Sequence, residues 1–100
     1  MKDLPIRVPP TADFSRIDKA VERCCEELGL TKTLRDTLGK YPGCIHWHYK
    51  RPQESGTLEI TSWPLQRRLW ITVQDGRHAA WIDEAVPELS RMLRKAVASN

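Results

Sequence analysis

The residues best suited to chemistry are His46 and His48, two apart in the segment Cys44-Ile45-His46-Trp47-His48-Tyr49-Lys50. On an extended strand, side chains alternate between faces, so both imidazoles point the same way from Cα atoms about 6.6–6.8 Å apart. Two imidazoles at that spacing reach a single ion through metal–nitrogen bonds of about 2.0–2.1 Å. A carboxylate on the neighbouring strand completes a two-histidine, one-carboxylate set of the kind that holds zinc or ferrous iron. Glu59 is the candidate for that position. Cys44 shares the parity but stands roughly 13 Å from His48 along the strand, too far for one ion to bind both. Asp36 falls beside His46 if residues 30–38 form a strand with Leu38 opposite Cys44. That same register places Leu34 and Leu38 on the polar face, which weakens it.

The same residues support a reading without metal. Trp70 flanked by His46, His48, Arg68 and Lys50 is an aromatic platform among cations, on which single-stranded nucleic acid bases could stack while phosphates are neutralised. No ribonucleoprotein aromatic motif, helix-turn-helix pattern or zinc-finger spacing accompanies it, and 16 basic against 13 acidic residues give a weak long-range field. A tryptophan-bearing face could also be covered by a second copy of the chain in a two-fold dimer, with Trp63 and Trp70 as anchors. The plain alternative is that the histidines lie on a solvated or subunit-covered sheet face, since His-x-His on a strand often arises by accident. Enzymatic chemistry has less support. Cys44 and His46 project in parallel from one strand, which rarely brings a thiolate and a base to one reacting atom. Glu59 with Asp36 as paired carboxylates would need a cleft that a flat sheet does not offer. No phosphate-cradling glycine loop, Gly-x-Ser-x-Gly or His-Glu-x-x-His pattern occurs.

Positioning these residues falls to a sheet and two helices. Ile45, Trp47 and Tyr49 alternate with Cys44, His46, His48 and Lys50, and Leu58 and Ile60 with Thr57, Glu59 and Thr61. Leu69, Ile71 and Val73 alternate in turn with Arg68, Trp70 and Thr72. Short loops make these three strands antiparallel neighbours. The first loop length pairs Lys50 with Thr57 and hence His48 with Glu59 and His46 with Thr61. A turn at Trp63-Pro64-Leu65-Gln66 pairs Ser62 with Arg67 and Glu59 with Trp70. The aliphatic and aromatic residues then share one face, and the polar set, expected to stay uncovered, shares the other. Residues 30–38 read as a possible fourth strand. Ile17, Val21, Cys24 and Leu28 form the stripe of a helix from Ser15 to Leu28, with a capping box at Ser15 and Asp18 and a left-handed stop at Gly29. A second stripe, Ile82, Val86, Leu89, Leu93 and Ala96, marks a helix from 79 to 98. Pro87 predicts a kink near Val86, or a break and restart. Residues 1–12 hold three of the seven prolines, and Leu4, Ile6 and Val8 alternate there, so they read as an extended arm, either a short edge strand or a laid-down segment.

One hundred residues make one domain, and 22 Leu, Ile, Val and Phe side chains sit just above the roughly 20% below which chains tend not to fold. The expected architecture is therefore a single α+β domain, an antiparallel meander of three to four strands with an N-terminal and a C-terminal helix on one face. No apolar run approaches the roughly 18 residues of a membrane span, and the N-terminus lacks the apolar core of a secretory signal. With three cysteines and no Cys-x-x-Cys pair, the thiols read as reduced and the chain as cytoplasmic. The expected function is non-enzymatic binding of a protein partner, a second copy or single-stranded nucleic acid through His46, His48, Lys50, Glu59, Arg68 and Trp70. The alternative is a divalent metal site, zinc or iron, at His46, His48 and Glu59; no other cofactor is expected.

Overall fold

The computed structural model describes residues 1–99, and among them the chain forms five strands and two α-helices. The strands are β1 (Lys2–Ile6), β2 (Thr31–Asp36), β3 (Ile45–Lys50), β4 (Leu58–Trp63) and β5 (Arg68–Val73). The helices are α1 (Phe14–Glu27), between β1 and β2, and α2 (Ala80–Ala98), after β5. All strands join one antiparallel sheet in the order β1-β5-β4-β3-β2. The α+β class and the two helices match the expectation, but the strand count is five. The added strand is the N-terminal arm, where Leu4 lies opposite Ile71 and Ile6 opposite Leu69. Pro5 is tolerated there because β1 is an edge, where a missing N–H costs no inner ladder bond.

Strand alternation sorts the sheet as the sequence implies. Trp47, Tyr49, Leu58, Ile60, Leu69 and Ile71 are buried in the core together with Ile17, Val21 and Cys25 of α1 and Ile82, Leu89, Leu93 and Val97 of α2. Polar clamps fix α1 over this face. The Trp47 indole N–H donates to Glu22 Oε2 at 3.0 Å, Lys32 Nζ reaches Glu22 Oε1 at 3.2 Å, and Arg35 pairs with the same carboxylate. Ser62 Oγ donates to Asp18 Oδ1 at 2.7 Å. Asp18 is therefore a tether to β4 and not part of a cap. The cap is Asp13, extended at φ −91° and ψ 116°, whose carboxylate accepts from the Ser15 N–H at 2.9 Å. Gly29, at φ +73°, stops α1 as expected.

α2 runs unbroken through Pro87. The carbonyl that loses its N–H partner belongs to Asp83; both residues are exposed, so water can serve it and the helix need not restart. The β3–β4 register is the expected one, with His46 opposite Thr61 and His48 opposite Glu59. Between β4 and β5 the register is displaced by two: Trp63 meets Arg68, Thr61 meets Trp70 and Glu59 meets Thr72. The turn is a single 3-10 turn with Pro64 at its first position and Arg67 left-handed at φ +51°, so β4 continues through Trp63. A displacement of two keeps every side chain on its face.

Candidate metal centre

β3 and β4 supply the site. His46 and His48 project from one face of β3, and Glu59 stands across from His48 on β4. Two of the three side chains are almost fully shielded, His46 at 6% and Glu59 at 5% exposure. The face expected to be open is closed along its middle, because it lies on inner strands and chain segments fold over it. Tyr41, in the 37–44 connection, packs edge-on against Trp70 at 5.1 Å and against Trp63 at 4.9 Å. The Trp63 N–H donates to the Pro42 carbonyl at 2.9 Å, and Arg68 lies 4.7 Å over the Trp70 ring. Trp70 is only 4% exposed, which corrects its expected role as an open stacking platform or surface anchor.

Three donor atoms converge. His46 Nε2 lies 3.1 Å from His48 Nε2 and 3.2 Å from Glu59 Oε1, and His48 Nε2 lies 3.7 Å from the same oxygen. A tetrahedral ion with bonds of about 2.0–2.1 Å sets its ligand atoms about 3.3–3.4 Å apart. The observed triangle has that size. His46 is also oriented from behind, with its Nδ1 2.8 Å from Oγ1 of Thr61, a residue 1% exposed. When Nδ1–H donates to that hydroxyl, the lone pair of Nε2 is aimed into the triangle, the arrangement that fixes a metal-binding tautomer. Burial holds both imidazoles below their ordinary pKa of 6.5, although Glu59 pulls the other way, so the neutral, metal-binding form is favoured. Glu59 Oε2 is buried without a hydrogen-bond partner, and its nearest cation is Arg77, whose Nη1 is 3.5 Å away. The two carboxylate oxygens thus face different groups, Oε1 the two imidazoles and Oε2 the Arg77 guanidinium.

The remaining expected site residues lie elsewhere. Lys50 turns its ammonium to the Gly56 carbonyl at 3.1 Å, and Arg68 stays with Trp70. Asp36 does pair with His46 across the strands, but its Oδ1 accepts the Thr37 N–H at 2.8 Å, and the described donor group has three members, His46, His48 and Glu59. The register that places it there sets Leu34 on the polar face beside His48, where it remains 37% exposed. The structure thus accepts the apolar residue on the polar face, and a bulge between Lys32 and Leu34 lets Lys32 and Arg35 both turn to Glu22 on the other face. Cys44 is buried, its sulfur accepting the Leu38 N–H at 3.3 Å. Two neighbours of the donors are not assigned to this site by the sequence. Thr61 is expected opposite His46 on the polar face, and its register position is the signal that places it there. Arg77 reads from the sequence as part of an ordinary charged sheet edge, since a turn residue reaches Glu59 only through the path taken after β5.

No helix among the described residues is long and apolar enough to cross a membrane. Comparison with protein-family models, with curated proteins and with solved structures returned no match.

Proposed function

We propose that this chain binds one divalent transition-metal ion, zinc by preference, through His46 Nε2, His48 Nε2 and Glu59. The observation that carries the reading is the triangle of donor atoms with edges of 3.1, 3.2 and 3.7 Å, built on two rigid inner strands. Two neutral nitrogens and one carboxylate suit zinc or ferrous iron, and edges of tetrahedral size favour zinc. Cys24 and Cys25 do not compete: burial pushes the Cys25 thiol up to about 12 and raises that of Cys24, so neither offers a thiolate at neutral pH. Nucleic acid is the weaker reading because the Trp70 ring is already packed by Tyr41 and Arg68.

Competition with a chromophoric chelator should give one zinc per chain. His48→Ala, at a half-buried position, should keep the fold by circular dichroism and weaken binding at least about 100-fold, more than the roughly 10–100-fold typical of lost outer-shell partners. Unchanged affinity in a folded His48→Ala variant removes the site.

A further inference from the structure

The donor group supplies three protein ligands, whereas a tetrahedral ion takes four. Three protein ligands with a fourth exchangeable position is the pattern of reactive or ligand-binding zinc, and four protein ligands that of purely structural zinc. What borders the fourth position therefore decides what the ion could hold. A shallow, open depression lies beside two of the donors, lined by His48, Glu59, Gln74, Gly76 and Arg77. Arg77 is the cation on its wall. It belongs to the 3-10 turn Asp75–Arg77 after β5, and its carbonyl accepts the Thr57 N–H at 2.9 Å, which ties that turn to the start of β4. Its side chain is half-exposed, with Nη1 3.5 Å from Glu59 Oε2, so a guanidinium stands within one carboxylate width of the donor triangle and keeps N–H groups free for a second acceptor.

We infer that the metal at His46, His48 and Glu59 binds a small oxyanion, one oxygen on the ion and another on the Arg77 guanidinium. The inference rests on the metal reading above. Its reach is consistent with the structure: an oxyanion with one oxygen about 2 Å from an ion and the next about 2.8 Å from a guanidinium nitrogen spans about 6–7 Å. The 3.5 Å from Arg77 Nη1 to Glu59 Oε2, added to the width of one carboxylate and one metal bond, sets an upper limit of about that length on the distance from Arg77 to the ion. The planar guanidinium fork matches carboxylate and phosphate groups alike. Gln74, on the same wall, offers an amide to the rest of such a ligand.

Cobalt(II) makes the two claims separable, because its visible bands report both binding and the identity of the fourth ligand. The chain titrated with cobalt(II) in a non-coordinating buffer should develop bands at one equivalent. Acetate or inorganic phosphate should then shift those bands saturably, the stronger of the two identifying the ligand class. Metal content after dialysis controls for stripping by phosphate. Arg77→Ala should still take up one cobalt(II) per chain and, with both proteins saturated in cobalt(II), require at least about tenfold more anion than the wild type, and Arg77→Lys should recover part of the loss. A chain that takes no cobalt(II) overturns the metal reading itself. Bands that form but ignore both anions, or an anion response equal in wild type and Arg77→Ala, overturn the oxyanion site and leave the metal in place.

Discussion

Replacing Glu59 by leucine should make the metal-free chain more stable and, in the same molecule, abolish zinc binding. The carboxylate is 5% exposed, and its Oε2 has no hydrogen-bond partner. A buried polar oxygen in that condition costs about 1–3 kcal/mol, and Arg77, half-exposed at 3.5 Å, is screened by water and offsets little of it. Glu59→Leu removes that cost and loses the contact of Oε1 with His46 Nε2, worth about 1 kcal/mol. The leucine sits opposite Thr72 and His48 in a closed part of the sheet, so its side chain is also withdrawn from water. The balance is a gain of about 1–2 kcal/mol, which in a domain of this size raises Tm by about 4–8 °C per kcal/mol. Calorimetry of the chelator-treated proteins reads this directly. Excess zinc should then reverse the order, since a ligand at 100 times its Kd stabilises the wild type by about 2.7 kcal/mol and has no site in the variant. A Glu59→Leu protein that is destabilised by more than 1 kcal/mol yet binds zinc normally would refute the reasoning, because the carboxylate would then be a structural partner of the histidines and not a ligand held at a cost.

Thr61→Val keeps the shape at a position 1% exposed but removes the hydroxyl 2.8 Å from His46 Nδ1. Zinc affinity should drop about 10–100-fold, and an unchanged Kd would show that Thr61 does not set the ring. In chelator, stability should decline as pH falls below 6.5: the imidazoles of the unfolded chain take up protons there, while burial keeps His46 and His48 of the folded chain neutral to lower pH. Above 6.5 that contribution is complete, and a His46→Gln/His48→Gln protein that keeps the same slope between pH 6.5 and 5 would assign it to other groups. Gly56→Ala should destabilise by about 1–3 kcal/mol, since Gly56 sits at φ +96° and a Cβ would meet the Arg77 carbonyl at 2.9 Å and Ala79 Cβ at 2.8 Å. It should also weaken any Arg77-dependent anion response, because that contact sets where the Arg77 turn lies; wild-type stability in urea would contradict it.

Much of this molecule was legible before any coordinates. The period of two in residues 44–50, 57–62 and 67–73 and the helical stripes at Ile17 and Ile82 depend only on side chains a few positions apart. Local backbone geometry is enough to assign their faces. The short loop after Lys50 carried the first hairpin register and with it the meeting of His48 and Glu59. The cap at Asp13 was missed in favour of Ser15, two residues on, and the Asp18 expected in that capping box is instead held by Ser62 of β4.

What required the tertiary structure was everything set by chain segments distant in sequence. The arm joins the sheet because β5 presents an edge of matching length. Trp70 is buried because Tyr41, 29 positions earlier, is carried over it by a connection whose course no periodicity specifies. Whether three ligand atoms stand 3 Å or 6 Å apart depends on rotamers that packing selects, and whether Arg77 joins them depends on how a turn beyond β5 meets the loop before β4. Side-chain type and spacing determined which residues share a face, since that follows from backbone period alone. Depth of burial, convergence of donors and the cation beside them were decided by the fold, since each is a distance between segments that only a complete, packed chain defines.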